Sequence, residues 1–125
     1  MSTLKSTLKI ESTDLFPTPV SFTVTNLNSV NGSFSGFNNL TVTTSPIVLN
    51  IAPIDGTGLA AYCYFKNNDA TNNVYVGRTG QDAFLSLAPG DVSLISYGGT
   101  ASAANLYAYT GTGTAILSYF IGEKN

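Results

Sequence analysis

The sequence predicts an all-β protein, an antiparallel, jelly-roll-like β-sandwich of about 8–9 short strands. Three observations lead there. Apolar and polar residues alternate with a period of two along most of the chain. Clusters of Gly, Asn, Asp and Pro punctuate that alternation roughly every 8–12 residues. No stretch keeps the 3.6-residue period of an amphipathic helix. Its one candidate, residues 100–104, is short and follows Gly98 and Gly99, so it reads as a loop or a single helical turn. At 125 residues the chain fits one sandwich domain spanning residues 1–125.

The elements follow in order. Leu4, Leu8 and Ile10 share one parity, with Thr3, Lys5, Thr7 and Lys9 opposite, which predicts a first strand. Residues 1–15 are thus either a first edge strand or a docking arm. Val20, Phe22 and Val24 alternate with Ser21, Thr23 and Thr25, the pattern of a half-buried strand. Residues 26–39 are rich in Ser, Asn and Gly yet carry Leu27, Val30, Phe34 and Phe37, so an ordered loop or irregular strand is expected. Short β-branched runs follow at residues 40–44 and 47–51. Residues 59–65 are apolar on both parities, as a central strand requires. Further strands are predicted at residues 73–78, 83–87, 92–97, 105–109 and 115–121. Turn signals separate them at Asn31-Gly32, Asp55-Gly56, Asn67-Asn68-Asp69, Thr79-Gly80, Pro89-Gly90-Asp91, Gly98-Gly99 and Gly111-Thr112-Gly113.

Composition narrows the function classes. Only 10% of residues are charged, the formal net charge is −2, and there is no His. Ser, Thr and Asn together supply 41 residues, so the surface is polar without being ionic. Five dispersed cations make a poor electrostatic footprint for nucleic acid. Imidazole catalysis and His-ligated metal are impossible. No window nears the ~18 consecutive apolar residues of a membrane-spanning helix, and the polar start, Met1 to Thr7, does not read as a secretory signal. The expected chain therefore contacts neither nucleic acid nor membrane.

The candidate chemistry is sparse. Cys63 lies in an apolar run and has no base to activate it, so it reads as a small buried hydrophobe. Asp55, Asp69, Asp82 and Asp91 all fall in predicted turns. Calcium binding or paired-carboxylate catalysis are alternatives for them, but no two have motif spacing, and Asp favours turns for its own backbone hydrogen bonds. Glu11 and Glu123 read as solvated charges. The matches at Asn31-Gly32-Ser33 and Asn39-Leu40-Thr41 read as chance glycosylation patterns in a chain this rich in Asn, Ser and Thr. No Gly-x-Ser-x-Gly elbow is present, and Gly111-Thr112-Gly113-Thr114 lacks the Lys of a phosphate loop. No catalytic, cofactor-binding or metal-ligating residue is assigned, and no cofactor is expected. Arg78, at a strand end after Gly77, is a candidate for an inter-subunit ion pair or a solvent-facing charge.

The tyrosines are the distribution that stands out. All seven lie between Tyr62 and Tyr119. Tyr62 and Tyr64 form one row on a strand face, and Tyr107 and Tyr109 another. Cross-strand packing, a rigid aromatic patch against another chain, and sugar stacking are the three uses such rows have. With Arg78, these four tyrosines are the candidate interface residues.

From Ala61 onward the chain resembles small virion proteins of tailed bacteriophages. The resembling pieces run from Tyr64-Phe65-Lys66-Asn67-Asn68-Asp69 through Val74-Tyr75-Val76-Gly77. They continue with Phe84-Leu85-Ser86-Leu87-Ala88-Pro89-Gly90-Asp91, then Leu106-Tyr107-Ala108-Tyr109, then Gly113-Thr114-Ala115 leading to Leu117-Ser118-Tyr119. The resemblance covers about half the chain and carries over no active residue. It implies a β-sandwich subunit of a virion, specifically a capsid decoration or cement protein on the capsid surface. Such a protein is made in the host cytoplasm. Its partners would be the major capsid protein and copies of itself, in a closed ring such as a trimer. Tail or baseplate placement fits the same motifs, and there the rival role is a glycan-binding adhesin module.

Overall fold

The computed structural model describes residues 2–14, 19–34, 38–49, 61–78, 82–97 and 106–124. Ten strands form: β1 (Ser2–Ser12), β2 (Val20–Phe34), β3 (Asn38–Val42), β4 (Ile47–Val48), β5 (Ala61–Asn67), β6 (Val74–Arg78), β7 (Ala83–Leu87), β8 (Val92–Tyr97), β9 (Leu106–Thr110) and β10 (Ala115–Lys124). They make two antiparallel sheets. Sheet A runs β1-β2-β10-β5-β8, with β3 also on β10, and sheet B runs β4-β9-β6-β7.

The topology follows from which strands share an edge. β2 and β3 lie end to end along one edge of β10: Phe34 pairs with Gly122, and Asn38 to Val42 pair with Tyr119 to Ala115. Without β1 and β2, strands β3 to β10 divide between the sheets in the orders 3-10-5-8 and 4-9-6-7, and every connection crosses from one sheet to the other except the β6–β7 hairpin. That order is the double Greek-key connectivity of a jelly roll. The predicted fold class is therefore the observed one, with ten strands among the described residues rather than 8–9. The β1–β2 ribbon, both of whose strands the alternation predicts, stands beyond the eight strands of that jelly roll.

Period-two alternation builds the core. On β10, Ala115, Leu117, Tyr119 and Ile121 point inward, and on β5 Cys63 and Phe65 do the same. Sheet B answers with Val74, Val76, Leu87, Leu106 and Ala108, and Val42 and Leu49 complete the cluster. Each large side chain buried here contributes roughly 1.5–3 kcal/mol. Cys63 is fully buried, as its apolar run predicts.

One end of the sandwich is tied by a buried amide. The Asn67 side chain, at the end of β5, donates to the carbonyls of Asn72 (2.8 Å) and of Leu87 on sheet B (3.0 Å). Its Oδ1 accepts from the Asp69 amide at 2.9 Å. The Asn67 backbone meanwhile bonds Asp91 and Gly90 in the Pro89-Gly90-Asp91 turn. The predicted turns at residues 67–69 and 89–91 are thus both present and joined through Asn67, by its side chain on the first and its backbone on the second. The Gly111-Thr112-Gly113 turn is present too. Gly113 sits at φ +65°, where a Cβ would also come within 2.9 Å of Asn72 Nδ2.

Two expectations need correction. Asn31-Gly32 is not a turn but lies inside β2, where the register against β10 shifts between Gly122 and Lys124. A Gly within a strand commonly marks such a bulge. The apolar parities of β1 and β2 are also not half-buried in a core, because Leu8, Ile10, Phe22 and Val24 remain largely exposed. The expected turns at Asp55-Gly56, Thr79-Gly80 and Gly98-Gly99, the segment 100–104, and Phe37 lie outside the described residues.

Candidate interaction surfaces

Register decides which side chains leave the sandwich on each side. On sheet A the pairs Tyr64–Phe120, Tyr64–Leu94 and Lys66–Val92 place the even-numbered residues of β5, β8 and β10 on the outward face. On sheet B the pairs Tyr75–Tyr109 and Val48–Tyr107 place Val48, Tyr75, Tyr107 and Tyr109 outward. The two predicted tyrosine rows therefore stand on opposite sides of the molecule, Tyr62 and Tyr64 on sheet A, Tyr107 and Tyr109 on sheet B.

The sheet B face is a ladder of three rings. Tyr75 stacks on Tyr109 with centroids 5.3 Å apart, and Tyr109 on Tyr107 at 5.9 Å, with interplanar angles of 27° and 20°. Tyr75, which the predicted rows omit, joins through cross-strand pairing rather than through proximity in sequence. Tyr107 lies over Gly77, where a Cβ would sit 2.8 Å from the Tyr107 hydroxyl and 2.9 Å from Ala83 Cα. Gly77 therefore makes room for both the ring and the neighbouring strand. The rings pack across the β6–β9 pair and along β9 itself. Arg78 ends β6 opposite Leu106, exposed to solvent.

The sheet A face is different in kind. Tyr64 stacks on Phe120 at 5.7 Å. Val92 and Leu94 flank them on the edge strand β8. The β1–β2 ribbon stands beyond the β10 edge, and its pairs Leu8–Val24 and Ile10–Phe22 put four apolar side chains on the same face of the sheet. Leu8, Ile10, Phe22, Val24, Val92, Leu94 and Ile116 are between 45% and 60% exposed. Ribbon and sheet wall enclose an open groove of about 700 Å³, lined by Leu8, Phe22 and Val24 on one side and Tyr64, Leu94 and Phe120 on the other. The ribbon's other face is mostly polar, with Lys5, Thr7, Lys9, Glu11, Thr23 and Thr25. Lys9 and Glu11 form an exposed ion pair at 2.7 Å, so Glu11 is paired rather than simply solvated.

Two of the four predicted carboxylates, Asp69 and Asp91, behave as turn formers. Asp69 accepts from the backbone amides of Asn72 (2.6 Å) and Thr71 (2.9 Å), and from the Thr71 hydroxyl (3.2 Å). These bonds, led by the one from Asn72, hold its pKa below the ordinary value. Asp91 accepts from the Ala88 amide at 2.9 Å and closes its own turn. Asp82 is exposed beside β7, and Asp55 lies outside the described residues. Among the described residues no three His, Cys, Asp or Glu side chains converge on a point that could hold a metal ion. No helix among them is long and apolar enough to cross a membrane.

The surface that sequence reading missed is thus the apolar outward face of sheet A. Its signal was present as alternation in β1, β2 and β8, but alternation announces a face to be covered without saying what covers it. Among known proteins, the chain matches no family model, no curated protein and no solved structure.

Proposed function

We propose that this protein is a non-enzymatic structural subunit of a bacteriophage virion, a decoration protein that binds the outer capsid shell and bridges capsomers. The observation that carries this reading is the outward face of sheet A. A soluble monomer rarely keeps so many large apolar side chains half-exposed on one contiguous face, and such patches are docking surfaces. The chain's charge poverty fits the same role. A Ser/Thr/Asn-rich surface can pack against a shell without desolvating many ions, a step that costs several kcal/mol per ion. Many weak copies on a lattice are retained together through effective concentration. The jelly-roll topology is one that capsid and lectin domains share, which is support by analogy of fold alone. The bacteriophage assignment itself rests on the resemblance of residues 64–119.

Purified virions test the proposal. Quantitative mass spectrometry with electron microscopy is expected to find hundreds of copies distributed over the shell. A few copies at one vertex, or none in the particle, would overturn the decoration role.

A further inference from the structure

Resting on the docking role just proposed, we infer that the β1–β2 ribbon is a hinged flap, which closes on the outward face of its own sheet A and has to lift before that face can dock. Three observations carry the inference. The first is how the ribbon is attached. β2 meets β10 through the Phe34–Gly122 and Val30–Lys124 pairs, and between them three residues of β2 stand against one of β10. That bulge, Asn31-Gly32-Ser33, interrupts the ladder, and Gly32 gives it a residue of wide backbone freedom. A single pair, Val30–Lys124, lies on its ribbon side. The rest of the ribbon, Ser2–Ser12 on Val20–Val30, is laddered only to itself among the described residues. A few residues that can absorb a dihedral change, next to a unit with its own internal pairing, are the parts of a hinge.

The second observation is what the ribbon faces. One groove of about 700 Å³ separates it from the sheet, with Phe22 and Val24 on the ribbon wall and Tyr64, Leu94 and Phe120 on the sheet wall. The ribbon therefore already stands over the face it would cover. Closing asks for a tilt at the bulge, with no change of strand order or register. The third observation is the chemistry of the two walls. Phe22, Val24 and Leu94 are between 45% and 49% exposed, so closing moves apolar surface out of water. Lys5 is the one charged side chain on the groove among the described residues, and its amine can stay at the rim while its stem packs. A closed flap turns Lys9, Glu11, Thr23 and Thr25 to solvent. The flap thus replaces an apolar docking patch by a polar back until the shell competes for the patch. The shell then binds with an affinity reduced by the closed fraction.

Disulfide trapping in the full chain tests the flap. Val24→Cys with Leu94→Cys places one thiol on each wall, and Phe22→Cys with Leu94→Cys samples a second pairing. Leu27→Cys with Leu94→Cys puts the ribbon thiol on the opposite parity, as a control. Cys63 is fully buried and does not compete. A disulfide needs Cα atoms within about 7 Å, so a bond within one chain reports closure. After dilute protein is oxidised with diamide, non-reducing mass analysis is expected to find an intrachain bond in V24C/L94C or F22C/L94C and none in L27C/L94C. The oxidised chain is expected to lose binding of the apolar dye bis-ANS and binding to purified capsids that lack this protein. Dithiothreitol is expected to restore both, and far-UV circular dichroism verifies that each variant folds. No intrachain bond in either wall pair, or one in the control as readily, would overturn the flap and leave the decoration role standing. A locked chain that docks as tightly as the reduced one would overturn it too. A chain that locks, loses the dye, and docks to capsids in neither state would sink the decoration role and leave the closure standing.

Discussion

The β1–β2 ribbon and the β3–β10 sandwich are written in the same two-residue alternation, yet they end in opposite environments. In the sandwich the inward parity of β5, β6, β9 and β10 is closed off from water, as at Phe65, Val76, Ala108 and Leu117. In the ribbon the corresponding parity, Leu8, Ile10, Phe22 and Val24, stays about half exposed. The difference lies in partners, not in pattern. Each sandwich strand faces a second sheet, whereas the ribbon extends past the edge of β10 and meets no second layer among the described residues. Alternation therefore encodes a demand for cover. Topology decides whether that demand is met inside one molecule or between molecules.

Substitutions in the two regions should differ in cost, and the largest effect belongs to the core. Phe65→Ala removes a fully buried ring between the sheets and is expected to cost about 3–5 kcal/mol in urea unfolding. A cost below about 1 kcal/mol, roughly that of one buried methylene, would mean that the sheets are not packed in this way.

Next comes the buried amide that joins the two sheets. Asn67→Ala leaves the Asn72 and Leu87 carbonyls and the Asp69 amide without their partner, and is expected to cost about 2–3 kcal/mol. The loss should appear in thermal unfolding of the whole sandwich rather than in the ribbon.

The ribbon should respond far less. Phe22→Ala, measured at a dilution where the chain is monomeric, is expected to cost less than about 1.5 kcal/mol, because the side chain is already half in water. Amide exchange should separate the regions directly. Leu8 and Val24 should exchange by local opening well below the global unfolding free energy, while Val76 and Leu117 should exchange only near it. Equal protection in a verified monomer would erase the distinction between the two regions.

The smallest effect is electrostatic and confined to one turn. Backbone donation from Asn72 and Thr71 lowers the Asp69 pKa from its ordinary 3.8. Its ionised form therefore contributes stability that is fully present above the unfolded value. That contribution is lost as pH falls through the lowered folded value. Asp69→Asn should lower Tm slightly near neutral pH, and the gap to wild type should narrow on acidification below the ordinary carboxylate range. A gap that widens with acid would contradict the assigned bonds.

Much of this molecule is legible in residue order, and particular positions show why. Leu117-Ser118-Tyr119 and Val74-Tyr75-Val76 alternate because a strand presents successive side chains to opposite faces, so their inward parity follows from local geometry. The turns at Asn67-Asn68-Asp69 and Pro89-Gly90-Asp91 are equally local, since Asp and Gly act on their own backbone. Asn31-Gly32 carries the same signal as those turns and became a bulge in β2, because pairing with β10 competed with the local preference and won. Tyr75 joins Tyr107 and Tyr109 only because β6 and β9 are neighbours in sheet B, a fact that no spacing in the sequence records.

Residue order alone specifies an all-β chain, the positions of most strands, the turn roles of Asp69 and Asp91 and the burial of Cys63, because each follows from residues within a few positions of one another. Long-range pairing sets the opposite directions of the two tyrosine rows, the Asn67 link between the sheets, and the half-exposed apolar stripe of β1 and β2 beside Tyr64 and Phe120. Those outcomes depend on which strand lies beside which and on which sheet faces which. Such long-range pairings are selected by the free energy of the whole assembly rather than by any local preference.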